Sequence, residues 1–139
     1  MRFLAILYIA VCLGGCDTFP TPASENRSMT MQTDGLITKA SHYSVKETID
    51  RLSNAAEAKG LRIFARVDHQ ANAAAMNLEM PASTLLIFGN PKIGSPLMKA
   101  SPSVAIDLPV KALAYMGKDG QVYLSYNDPA YLKSRHDIE

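Results

Sequence analysis

Ser44-Val45-Lys46-Glu47-Thr48-Ile49-Asp50-Arg51-Leu52-Ser53-Asn54-Ala55-Ala56-Glu57-Ala58-Lys59-Gly60, followed at once by Leu61-Arg62-Ile63-Phe64-Ala65-Arg66-Val67, changes its apolar period across a single glycine. In the first part Val45, Ile49, Leu52 and Ala56 recur at four, three and four residues, one face of a helix. Ser44 and Glu47 have the spacing of a capping box, in which each side chain satisfies the other's backbone N–H. Glu47 and Arg51 add an i,i+4 pair in the favourable order, and Gly60 ends the helix as its C′ residue. The second part alternates, with Ile63, Ala65 and Val67 expected on one face and Arg62, Phe64 and Arg66 on the other, as in a strand.

Outward from this helix–strand unit, most segments read as strands. Gly35 to Ser41 is a short strand-like stretch carrying Leu36 and Ile37. Thr84 to Phe88 is continuously apolar between Pro81 and Gly89-Asn90-Pro91, the pattern of a central strand buried on both faces. Leu97 to Ala100 reads as one helical turn, started by Ser95 with Pro96 at the first position. Val104, Ile106 and Leu108 alternate like a strand. Lys111–Met116 and Gln121–Tyr126 flank Gly117-Lys118-Asp119-Gly120, whose Asp-Gly marks a hairpin turn. Asp128-Pro129 supplies the N-cap and first residue of a closing helix with Tyr131 and Leu132. The expected class is α+β: a two-layer sandwich with a mainly antiparallel sheet and helices on one face.

The N-terminus carries a different signal. Met1-Arg2 precedes an apolar run of about eleven residues, Phe3 to Leu13, too short for a span needing about 20. It closes on Leu13-Gly14-Gly15-Cys16, which resembles a bacterial lipobox. The expectation is a signal peptide over 1–15, Cys16 lipidated as the first mature residue, a tether over 16–33 and one domain over 34–139. Loss of Arg2 leaves 13 basic side chains against 13 acidic ones. With no polybasic patch there is no nucleic-acid partner to expect, and attachment falls to the acyl chains. Asp17 after the lipobox cysteine resembles the inner-membrane retention residue of some bacterial lipoproteins, so the expected place is the periplasmic face of the inner membrane. With Cys12 removed and Cys16 lipidated, no disulfide, thiol nucleophile or cysteine metal site is expected in the domain. The tether, broken up by Pro20, Pro22, Ser24 and Asn26, reaches about 20–25 Å.

Three segments resemble a known family: Phe64-Ala65-Arg66-Val67-Asp68-His69; Leu86-Ile87-Phe88-Gly89-Asn90-Pro91-Lys92-Ile93-Gly94-Ser95-Pro96-Leu97-Met98; and Tyr123-Leu124-Ser125-Tyr126-Asn127-Asp128-Pro129. Their order and spacing are similar to the bacterial and archaeal domain-of-unknown-function family numbered 302, over nearly all of residues 34–139. The resemblance implies a small α+β domain with helices on one face of an antiparallel sheet, and no activity. Ser95 stands where that family usually has threonine, and Ala71 to Asn77 is looser than its small apolar segment.

Candidate site residues are few. Asp68 and His69 end a strand, where a carboxylate beside an imidazole suits acid–base work or metal ligation. Neighbours on an extended chain point apart, so a pair that merely hydrogen-bonds the next loop is the alternative. Gly89 to Ser95 copies a P-loop superficially, without the lysine before the hydroxyl and with Pro91 removing an amide. It offers either an anion site at Lys92 and backbone amides or a rigid strand-to-helix turn. His42 and His136 read as surface histidines, and no Ser–His–Asp order or metal-ligand spacing is visible. Tyr123 and Tyr126 fall on opposite faces, and the methionines read as gap-fillers.

The functional expectation is a lipid-anchored envelope protein that binds a small ligand or partner through Asp68, His69, Asn90 and Lys92. Its cofactor and catalytic residues are unspecified. An enzyme using Asp68 or His69 as acid–base with Lys92 as anion anchor is one alternative; a self-associating envelope scaffold is another. If strands 61–67 and 84–88 run parallel, His69 and Lys92 share one sheet edge. If they run antiparallel, that shared site does not exist.

Overall fold

The computed structural model describes residues 30–33 and 35–138; the expected leader, Cys16 and most of the tether lie outside the described residues. The first helix, α1 (Val45–Ala58), forms for the reasons its sequence gives. Ser44 Oγ accepts the Glu47 N–H at 3.2 Å and Glu47 Oε2 accepts the Ser44 N–H at 3.1 Å, completing the capping box. Gly60, at φ +73, donates to the Glu57 carbonyl while Leu61 donates to Ala56, a Schellman ending. Val45, Ile49 and Ala56 are buried, and Leu52 packs half-buried beside them. Arg51 does not pair closely with Glu47; its guanidinium lies 3.7 Å from the centre of the Tyr43 ring.

Six antiparallel strands make the sheet: β1 (Thr30–Thr33), β2 (Leu36–Ser41), β3 (Arg62–Asp68), β4 (Ser83–Gly89), β5 (Val110–Met116) and β6 (Val122–Asn127), in the order β1-β2-β6-β5-β4-β3. Three short helices follow strands: α2 (His69–Ala74), α3 (Pro91–Ala100) and α4 (Pro129–Arg135), with a 3-10 turn at Pro102–Ile106. Helix α1 covers the face bearing Leu86, Ala114, Val122 and Leu124, which makes a two-layer α+β sandwich as expected. The other face carries Val67, Leu85, Leu113, Ser125 and Thr38 in one row across five strands. In that row Thr38 Oγ1 and Ser125 Oγ are 2.7 Å apart and buried, joining β2 to β6 across 87 residues of sequence.

Several local expectations change. The sheet begins at Thr30, four residues before the boundary at 34, because these residues pair with β2. Strand β3 lies at the edge of the sheet and carries a bulge at Phe64: Ile63 pairs with Phe88 and Ala65 with Ile87. One extra residue reverses the facing of everything after it. Ile63 therefore joins the core beneath α1, while Ala65 and Val67 turn to the opposite face. Arg66, paired with Leu86, is brought to the helix side and meets Asp50 of α1 at 2.6 Å.

The alternation at 104–108 is a 3-10 turn, with Val104 2% exposed and Ile106 71% exposed. Ser101-Pro102 starts it, and Pro109 follows Leu108 through a cis peptide. Helix α3 starts at Pro91, ahead of Ser95-Pro96, because Asn90 caps it first and Pro91 takes the first helical position. Pro96 then sits inside the helix. The segment after Asp68 is also helical for its first six residues, with Asp68 as its cap. The hairpin at Gly117–Gly120 and the Asp128-Pro129 helix start are as expected, Asp128 Oδ1 accepting the Ala130 N–H at 2.8 Å.

Candidate functional site

Asp68 and His69 stand at the end of β3 that pairs with Thr84, whereas Asn90 follows the end of β4 that pairs with Arg62. Antiparallel pairing thus puts the two halves of the expected polar site at opposite ends of the strands, about 20 Å apart at the rise of an extended chain. The shared His69–Lys92 patch does not form. Each acid or amide also has a local task. Asp68 Oδ1 accepts the Ala71 N–H at 2.9 Å, and Asn90 Oδ1 accepts the Lys92 N–H at 2.9 Å. Ile93 and Gly94 both donate to the Asn90 carbonyl, so the amides that would cradle an anion are already engaged. Lys92 is exposed, and the 89–95 segment is a rigid strand-to-helix turn.

That turn nevertheless builds one wall of a cleft. A cavity of about 440 Å³ opens between α3, the start of β3, and the Leu108-Pro109-Val110 segment. Its walls are Leu61, Phe64, Ile93, Leu97, Met98 and Leu108, with Asn90 and Ser95 as polar groups. The volume lies in the range of small-molecule pockets, which are mostly apolar with a few orienting polar groups. The bulge sets Phe64 at this cleft, 43% exposed, and Ile93 is 61% exposed. A Cβ on Gly89 would sit 3.4 Å from Pro109 and 3.9 Å from Phe64, ordinary contact distances, so this back wall would accept alanine there. Of the four expected contacts only Asn90 lines this cleft; Asp68, His69 and Lys92 do not. Phe64, Ile93, Leu97 and Met98 all lie within the motif segments 64–69 and 86–98, so the motif carried the signal through its apolar side chains and not its polar ones.

A second, separate cluster was not legible in sequence. His42 is exposed, but His136 is buried, as is Asp107, and His136 Nε2 lies 2.6 Å from Asp107 Oδ2. Ser103 Oγ lies 3.0 Å from His136 Nδ1. Among the described residues no group of three His, Cys, Asp or Glu side chains converges as a metal site, and no helix is long and apolar enough to cross a membrane.

Fold and cleft together define a small α+β domain with an apolar pocket at the edge of its sheet. The chain belongs to the family described as Domain of unknown function DUF302, whose model matches residues 37–139. It shares its fold with the crystal structure of an uncharacterized conserved DUF302 protein from Bacillus stearothermophilus, at TM-score 0.63 and 19% identity over 77% of this chain and 91% of that one. It is 44% identical over 104 residues to a protein named fluoride-specific ion channel FluC 1 of Brucella suis, covering 75% of this chain and 41% of that protein. A FluC 1 protein of Brucella abortus matches at the same identity, with 38% of its length covered. The chain spans about two fifths of the length of these curated relatives.

Proposed function

We propose that this chain is a lipid-anchored protein of the cell envelope whose domain binds a small, largely apolar ligand in the cleft at α3. The observation that carries the binding half is the 440 Å³ cleft, walled by apolar side chains of the most distinctive sequence motif. The lipobox-like Leu13-Gly14-Gly15-Cys16 supports the anchor, with the periplasmic face of the inner membrane as its place. Apolar walls select a ligand whose body is hydrophobic, and Asn90 and Ser95 orient one polar end. This replaces the polar, anion-binding site expected from Asp68, His69 and Lys92.

The test is a titration of the purified chain with 1-aminoanthracene, an apolar fluorophore. One saturable site is expected, lost in Gly94→Leu, because a Cβ on Gly94 meets Leu108 and Met98 at 3.8 Å and a longer side chain fills the cleft. Saturable binding unchanged by Gly94→Leu, or no saturable binding at all, would sink the reading.

A second reading concerns the partner. The Brucella relatives carry a region like this domain within proteins named as fluoride-specific ion channels. On that ground the envelope partner of this chain is a membrane channel of that kind, met through the domain. Crosslinking in membranes of a cell expressing both proteins should then recover the channel with this chain; recovery no better than with an unrelated lipoprotein would remove it.

A further inference from the structure

Ser103, His136 and Asp107 form one continuous hydrogen-bonded chain outside the apolar cleft. Ser103 is an exposed residue of the 3-10 turn, and its Oγ lies 3.0 Å from His136 Nδ1. His136 follows α4 directly, and its Nε2 lies 2.6 Å from Asp107 Oδ2, with side chains only 5% and 9% exposed. Ser101 Oγ is 3.2 Å from Ser103 Oγ, and Arg135 Nη1 approaches the same Asp107 oxygen at 3.5 Å. An ionised carboxylate only accepts hydrogen bonds, so the short contact places the imidazole proton on Nε2. The Nδ1 lone pair is then aimed at the Ser103 hydroxyl.

These are the parts of an activated serine: an accessible hydroxyl, a base beside it, and a buried acid that fixes the base's tautomer. The ring nitrogens are exchanged relative to the familiar serine-protease triad, but the direction of proton flow is the same. Burying an acid and an imidazole is also a costly way to fasten a turn to a helix, since apolar side chains of similar volume do it as well or better. The chain order, Ser103 then Asp107 then His136, has no local spacing to advertise it, which is why the sequence showed no motif.

The geometry points to Ser103 as a nucleophile for acyl transfer from small activated carboxylic esters, with His136 as general base and Asp107 as the positioning residue. Ser103 Oγ forms a bond to the ester carbonyl carbon while its proton passes to His136 Nδ1. The bond to the leaving alkoxide breaks, and that oxygen takes the proton from His136. Water then attacks the acyl-serine carbonyl, giving its proton to Nδ1; the carboxylic acid departs and Ser103 Oγ recovers the proton. The sum is ester plus water giving acid plus alcohol. Ser103 lies on the surface of the domain, where a short acyl group needs no deep pocket to reach its hydroxyl.

The test uses the full chain with a fluorophosphonate probe, read by intact mass and peptide mapping, and with p-nitrophenyl acetate. One adduct on Ser103 is expected, together with ester cleavage. Ser103→Ala should abolish both with the melting temperature unchanged, and Ser101→Ala should leave the Ser103 adduct in place. In Asp107→Asn the amide donates to Nε2 and moves the ring proton to Nδ1, so the labelling rate of folded protein should drop at least tenfold. A purely structural role would lower the melting temperature and leave that rate unchanged, which overturns the assignment. So does the absence of any adduct, or an adduct that persists in Ser103→Ala. Should Asp107→Asn fail to fold, the Ser103→Ala result decides alone.

Discussion

His136 Nε2 and Asp107 Oδ2 are 2.6 Å apart in a buried contact that fastens the 3-10 turn to the end of α4 across 29 residues of sequence. Removing Asp107 leaves the Nε2–H of the neutral His136 ring buried without its acceptor, a loss of about 1–3 kcal/mol. Asp107→Ala is therefore expected to lower the denaturant midpoint by an amount of that size, measured by urea unfolding with an unchanged m-value. A loss below about 1 kcal/mol would show that water replaces the carboxylate without penalty.

The helical face of α1 makes a graded prediction. Ile49 is fully buried, Leu52 is half-buried and Glu57 is exposed. Ile49→Ala should cost about 2–5 kcal/mol, Leu52→Ala less than Ile49→Ala, and Glu57→Ala no more than about 0.5 kcal/mol. Equal losses at Ile49 and Glu57 in chemical denaturation would contradict the docking of this face on the sheet.

Two glycines with positive φ separate backbone strain from steric overlap. Gly60 at φ +73 has nothing within 4 Å of where a Cβ would stand, so Gly60→Ala should cost about 1–2 kcal/mol from the left-handed conformation alone. At Gly35, φ +83, a Cβ would overlap the Tyr131 ring, and the Gly35 carbonyl accepts the Asp128 N–H at 2.8 Å. Gly35→Ala is expected to be the more damaging of the two by thermal melting. The reverse order would place Tyr131 elsewhere.

Acid should weaken the fold through three exposed carboxylates. The Lys46 hydrogen bond, with Arg66 behind it, lowers the pKa of Asp50; the Ser44 hydroxyl lowers that of Glu47; and the Tyr123 hydroxyl lowers that of Asp119. Each folded value lies below the ordinary value, so the contribution is complete above the ordinary carboxylate range and disappears as pH falls through the folded values. Urea unfolding at pH 6 and pH 3 should show a smaller acid-induced loss in Asp50→Asn than in the parent. An identical loss in both would remove Asp50 from this account.

The anchor is tested at Cys16. Cys16→Ser should release the chain from membrane fractions or leave residues 1–15 uncleaved, as read by fractionation and mass. A mature N-terminus elsewhere without acyl mass would rule out lipidation.

Elements whose signals are local were legible in the sequence. The capping box at Ser44 and Glu47, Gly60 as C′, the Asp119-Gly120 hairpin and the Asp128-Pro129 helix start all appear as read. What was not legible depends on partners distant in the chain. The reversal of faces in β3 is a bulge fixed by pairing with β4, and alternation alone shows no trace of it. Asn90-Pro91 and Ser95-Pro96 are both helix-start signals, and the helix takes the first, where Asn90 Oδ1 accepts the Lys92 N–H, leaving Pro96 inside it. The burial of His136 depends on Asp107, which no spacing rule connects to it. The cleft was half legible, because its motif stood out while the direction of its apolar side chains did not.

The pairing of β2 with β6 bears on when this protein can fold. The hairpin of residues 30–41 has its inner neighbour at residues 122–127, and α1 rests on strands β4, β5 and β6 that follow it in the chain. During synthesis β1 and β2 can pair with each other, but β2 lacks its inner neighbour until residues 122–127 have been made, so the sheet closes only near the end of the chain. Such long-separation contacts form slowly. Until then the edge of β2 that will receive β6 stays open, and the hydrogen-bonding groups along it face water.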